Sequence, residues 1–226
     1  MRNKQNHLNA SARRLRIGLA VAASALAVCV LPATALGSVL DTTQFSVNPG
    51  SLAFGSSSPD TPNLNAVTLT GQAQTTNSTM ANFSVADATG SGSGYNVTVA
   101  GNSAGGKSPV FAEYCPGGAC GTAGYVTSGK TLVANSLTLN STSAGFTAQN
   151  GSTGTAPTHS CNSGCFMDAG SPQKVISAAT SAGMGTFQTS GYTASSLSLA
   201  TPSNTSVLPT NEVYQLDLVW SLNSGP

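Results

Sequence analysis

The chain has 226 residues, only 7% of them charged, and Ser, Thr, Gly, Asn and Ala dominate the remainder. Solubility must therefore come from hydroxyls and amides, and no basic stripe exists to meet a phosphate backbone, which argues against a nucleic-acid partner. The low charge also argues against the usual disordered chain, which is charge-rich and poor in β-branched and aromatic residues.

At the N-terminus Arg2, Lys4, Arg13, Arg14 and Arg16 precede an apolar run from Ile17 to Leu31, followed by Ala33-Thr34-Ala35. A basic start, an apolar middle and an A-x-A site form the layout of a secretory signal peptide. The apolar run is shorter than the ~20 residues of a membrane span and is broken by Pro32. Residues 1–37 are expected to be removed on export, leaving residues 38–226 as a single domain with no transmembrane segment. That domain carries three lysines against seven carboxylates, a formal balance of −4. Val28 stands before Cys29 where a lipidation box needs a small residue, so Cys29 is expected to leave with the signal.

The rest reads as short alternating runs separated by Gly, Ser, Asn and Pro. The candidate strands are QFSVN (44–48), NAVTLTG (65–71), NFSVAD (82–87), YNVTVAG (95–101), NSLTLN (135–140), QKVISAA (173–179), SSLSLA (195–200) and YQLDLVWSL (214–222). Eight strands of this kind suit an all-β, antiparallel β-sandwich with long Gly/Ser-rich, disulfide-bearing loops. Only VISAATSAGMGTF leaves room for a short helix, which Gly183 and Gly185 weaken. The least regular portions are expected at Gly101–Gly129 and Asn140–Gly170. Between Asp87 and Tyr95, the glycines of DATGSGSG supply positive φ for a hairpin that sends Tyr95, Val97 and Val99 inward.

Four cysteines remain after export, in CPGGAC (Cys115, Cys120) and CNSGC (Cys161, Cys165). An even number outside the cell implies two disulfides. Three pairings are possible. The turn formers Pro116-Gly117-Gly118 and Ser163-Gly164 favour the two local ones, while a pairing across the loops stays open. His159 beside Cys161 and Cys165 raises zinc as a rival, but the spacings depart from C-x2-C, so no metal and no cofactor is expected.

His159 is the one histidine after the signal segment, and Asp41, Asp60, Asp87, Glu113, Asp168, Glu212 and Asp217 are scattered without a spacing that sets up a catalytic pair. There is no G-x-S-x-G elbow for a nucleophilic serine. The reading is therefore of a protein that is not an enzyme.

In the final run, Tyr214, Leu216, Leu218, Trp220 and Leu222 alternate with Gln215, Asp217, Val219 and Ser221, so one face of that strand wants burial. Tyr214 and Trp220 are anchors of the core first, since large aromatics dominate core energetics. The same stretch resembles the ending of the WxL cell-wall-binding domain family, through Tyr214, Trp220, Leu222 and Pro226. NFSVADATGSGSGYNVTVAG is similar to that family's first motif, through Asp87, Gly90, Gly92, Gly94 and Tyr95. KVISAATSAGMGTF resembles the segment before the family's last two strands. Two departures stand out: Tyr95-Asn96-Val97 replaces the first W-x-L triplet, and the cysteine-bearing middle is not part of the family pattern.

The resemblance implies a non-catalytic protein on the surface of a Gram-positive-type bacterium, holding the cell wall non-covalently through peptidoglycan or an attached glycan. Tyr95, Trp220 and Tyr214 are the candidate ligand contacts, because sugar rings stack on aromatic faces. LPATA at Leu31 and LPTNE at Leu208 lack the glycine, apolar helix and basic tail of a covalent sorting signal. A rival reading is a surface protein that assembles with itself or a partner through sheet edges.

Overall fold

The computed structural model describes residues 42–226; the expected signal segment, Cys29 and Asp41 lie outside the described residues. Ser46–Pro226 is one compact unit. It is all-β, with every strand pair antiparallel and no α-helix among the described residues.

The strands in chain order begin with β1 (Leu52–Phe54), β2 (Gln74–Ser78), β3 (Ser84–Asp87), β4 (Tyr95–Gly101) and β5 (Ala112–Cys115). Next come β6 (Gly124–Tyr125), β7 (Leu137–Leu139), β8 (Gly145–Gln149), β9 (Thr158–His159) and β10 (Cys165–Phe166). The last five are β11 (Gln173–Ala178), β12 (Gly185–Ser190), β13 (Leu197–Thr201), β14 (Val213–Gln215) and β15 (Leu218–Ser224).

Two four-stranded sheets, β1-β3-β12-β8 and β15-β4-β11-β9, form the sandwich. Their flanks correspond: β1 lies against β15 and β8 against β9. A third sheet, β10-β7-β13-β2, adds Leu137, Leu139 and Leu197 to the same core, and a fourth, β14-β5-β6, carries the first cysteine loop. Inside, period two is obeyed closely: Tyr95, Val97 and Val99 are fully buried while Asn96, Thr98 and Ala100 are half-buried. Asp168 is also fully buried, accepting the Ser136 N–H at 2.7 Å, and burial pushes its carboxyl above the usual range.

Several expectations need correction. DATGSGSG is not a hairpin: β3 pairs with β1 and β12, whereas β4 pairs with β11 and β15, so the turn carries the chain from one sheet to the other. QFSVN and NAVTLTG are not strands. In the latter, Val67 and Leu69 are half-buried and Ala66, Thr68 and Thr70 exposed, so side chains alternate although no ladder partner is present. The helix alternative in VISAATSAGMGTF is β11, a turn and β12. YQLDLVWSL divides between two sheets, its first part on β5 and its second on β4. The two portions expected to be least regular hold five short strands, β5, β6, β8, β9 and β10.

Tyr95 occupies the centre, with no exposed surface and no partner for its hydroxyl. Gly183 makes room for it: a Cβ there would lie 2.5 Å from Tyr95 Cε1, and its φ of +76° suits glycine. Tyr95→Phe should leave stability unchanged or raised, because the lost hydroxyl bonds nothing. Tyr95→Ala should cost about the 3–5 kcal/mol of other buried aromatic truncations, read from urea denaturation midpoints.

Candidate functional site

The glycine-rich turn is ordered by a ladder of its own side chains. Asp87 Oδ1 accepts the Thr89 N–H at 3.1 Å and the Thr89 hydroxyl at 2.6 Å. Thr89 Oγ1 accepts the Ser91 N–H, and Ser91 Oγ the Ser93 N–H, each at 3.3 Å. Such side-chain bonds to the N–H two residues on are Asx and ST turns. They alternate with Gly90, Gly92 and Gly94, all at positive φ. At Gly94 a side chain would also strike the carbonyl of Ala178.

This turn delivers β4 to the chain end. β15 pairs with β4 over seven residues, Leu218↔Gly101 through Ser224↔Tyr95, without a register break. Beyond it the Gly225 N–H donates to Gly94 O at 2.9 Å, and Asn96 Nδ2 donates to Gly225 O at 2.8 Å. Gly94 and the residue before Pro226 are thus bonded directly; Pro226 itself is exposed.

The three candidate aromatics are not gathered into one surface. Tyr95 is closed inside, and its phenol is held above the usual range by burial first and by the Asp87 charge second. No face of it is open for a sugar to stack on. Trp220 is half-buried opposite Val99, its ring 5.5 Å from that of Phe83, which in turn meets Phe54 edge-on at 6.4 Å. Leu222 lies opposite Val97 on the same inward face. Tyr214 stands on the other side of the break at Leu216-Asp217, paired with Glu113, and its hydroxyl donates to Ser206 O at 2.9 Å.

Beside Tyr214 opens a cleft of about 730 Å³. Its floor includes Leu137, Leu199, Leu216 and Leu218, and its walls come from 61–69 and 205–216. At its edge the carboxyls of Glu113 and Glu212 are neighbours that influence each other's titration. Glu113 accepts the Lys130 N–H at 2.7 Å, which holds it below the usual range, and hydrogen bonding to Glu113 first, then burial and the Glu113 charge, hold Glu212 above. Sequence reading missed this pair, since the two residues lie far apart in the chain and only the β14–β5 pairing brings their neighbourhoods together.

On the opposite flank, His159 stacks on Phe146 at 4.4 Å and meets Tyr192 edge-on at 5.7 Å, with Nε2 3.2 Å from Gly145 O. Cys115–Cys120 and Cys161–Cys165 are both disulfides, the local pairings. With both thiols of each loop so bonded, the sulfurs are not zinc ligands, and no cluster suited to a metal occurs among the described residues. Nor is any helix there long and apolar enough to cross a membrane.

Burial pushes the His159 imidazole below its usual value of 6.5, against a weaker opposing effect of the Gly145 carbonyl. The unfolded chain therefore takes up this proton at higher pH than the folded one, and stability is lost as pH falls from the ordinary value towards the folded one. His159→Phe, which keeps the stack, should remove this contribution: its Tm should fall less than wild type between pH 7.5 and pH 5.

A family model described as WxL domain surface cell wall-binding matches residues 45–226. Among curated proteins and among solved structures, no significant match is found.

Proposed function

This chain belongs to the WxL family of surface cell wall-binding domains, and on that premise we propose that it is a non-catalytic protein held non-covalently on the wall of a Gram-positive-type bacterium. The ligand class is peptidoglycan or a glycan attached to it. The observation that carries this reading is the C-terminal arm. It sets Tyr214 over an open cleft and leaves Trp220 half-exposed, on a domain whose surface is mostly hydroxyl and amide.

Sugars offer apolar C–H faces to aromatic rings and hydroxyls to Asn, Gln, Ser and Thr, and ligand sites combine an apolar lining with a few placed polar groups. In this proposal Tyr214 and Trp220 are the contacts. Tyr95 supports them from inside, and Asp87, Gly94, Leu222 and Pro226 belong to the framework that holds the arm in place.

Purified wall fragments should pellet the protein. Tyr214→Ala and Trp220→Phe should each weaken the affinity read from the pelleted fraction by about two- to twelvefold, the range expected for one aromatic contact of roughly 0.5–1.5 kcal/mol. The single tryptophan should report the encounter as a change in emission on adding wall glycan. Unchanged binding by both variants, or losses that merely track a fall in Tm, would count against this site.

A further inference from the structure

Two features of the chain are left unused by wall binding, and they fit each other. The first is the free side of β15. In an antiparallel ladder, alternate residues exchange both main-chain hydrogen bonds with the partner strand. At one end of β15 Asn102 N donates to Asp217 O at 2.8 Å, and at the other Gly225 N donates to Gly94 O at 2.9 Å. With the observed register, this assigns the odd-numbered residues to β4 and turns the N–H and C=O groups of Leu218, Trp220, Leu222 and Ser224 outward. β15 ends its sheet, and none of these four has another main-chain partner among the described residues. Natural sheet edges are guarded by Lys, Pro, inward charges or bulges. Leu218–Ser224 carries no charge, no proline and no register break.

The second is the segment Gln44–Asn48. Its alternating Phe45 and Val47 suit a strand, yet it is in no strand, and residues 42–50 are all exposed. Phe45 is 91% and Val47 80% exposed. It is an unpaired strand sequence on a chain that also has an unpaired edge.

We propose that Gln44–Asn48 of one copy of this chain adds as a strand to the β15 edge of a second copy, so that copies associate head to tail on the bacterial surface. The added strand would take its main-chain bonds from Leu218, Trp220, Leu222 and Ser224. Phe45 and Val47, two residues apart and so on the same face, would lie beside the side chains of Trp220 and Leu222, closing the flank between β1 and β15. Cross-strand aromatic and β-branched neighbours are favourable pairs. Because donor and acceptor are different surfaces, the contact is heterologous and continues from copy to copy.

Sedimentation velocity on the exported protein, from about 1 to 200 µM, provides the test. The weight-average mass should rise with concentration, and Trp220 emission should shift to the blue with it. Phe45→Ser with Val47→Ser should stay monomeric at every concentration with an unchanged Tm, since both side chains are exposed, and should still pellet with walls when dilute. A synthetic peptide of residues 42–50 in excess should dissolve wild-type oligomers, while the same peptide with Phe45→Asp and Val47→Asp should not. A wild-type monomer throughout the range overturns the proposal, whether the arm then pairs within its own chain or serves a foreign partner. Association of the double variant equal to wild type overturns it too. Wall binding by the dilute monomer is read separately, so either idea can fail alone.

Discussion

The register between Tyr95–Gly101 and Leu218–Ser224 is the contact on which the rest of the domain depends. It joins the chain end to a strand whose Tyr95, Val97 and Val99 are fully buried and places Trp220 and Leu222 opposite Val99 and Val97. Little else could do this work. The one ion pair among the described residues, Lys107 to Asp217 at 2.9 Å, is partly exposed on both sides, and pairs of that kind contribute little. A domain so poor in charge is held by ladder hydrogen bonds and by the few large side chains it has. Where those side chains sit therefore matters more than how many there are.

Three places in the sandwich are filled by rings. Tyr95 fills the middle, Phe54, Phe83 and Trp220 fill the flank between β1 and β15, and Phe146, His159 and Tyr192 fill the flank between β8 and β9. A two-layer sheet structure loses apolar contact at its open sides, where each inner face runs out of neighbours. Rings close such gaps at low rotamer cost, and edge-on or stacked pairs add to the area they bury. His159 acts as one of these rings, which accounts for a lone histidine far from any acid partner. The disulfides hold the material between the flanks: Cys161–Cys165 ties the loop linking β9 to β10, and Cys115–Cys120 ties the turn between β5 and β6.

The class of fold and five strands were legible in the sequence because NFSVAD, YNVTVAG, NSLTLN and SSLSLA alternate, while QKVISAA, whose ladder is broken by a register shift between Lys174 and Ile176, is a short apolar run with a proline before it. Legibility stopped where alternation and pairing part company. Periodicity reports which way side chains face, and says nothing about whether a neighbour is present to complete the hydrogen bonds; hence NAVTLTG alternates without pairing. Gln74–Ser78 lies at a sheet edge with polar residues on both faces and carries no apolar signal to read, and Gly145–Gln149, also at an edge, has Phe146 as its one large apolar residue. The crossover at Asp87–Gly94 was indistinguishable from a hairpin because its local chemistry, positive φ and side-chain turns, is the same in both. Only the partners of β3 and β4 differ. The Glu113–Glu212 pair left no trace, since it is made by two strands meeting from distant parts of the chain.

The spacing of the W-x-L triplet can now be given a physical content. In a strand, residues two apart share a face, so Trp220 and Leu222 both enter the flank of the sandwich while Ser221 turns to the outer surface. Neither burial nor the ladder constrains the side chain of that middle residue strongly. The main chain of the triplet points in a third direction: Ser221 bonds inward to β4, and Trp220 and Leu222 present their peptide groups to the open edge. One three-residue motif therefore fixes a core contact, a surface position and an unpaired edge at once. Any substitution of the tryptophan changes the packing that sets where that edge lies, which is why core and binding roles at this position cannot be separated by loss of the ring alone and require a replacement that keeps its apolar body.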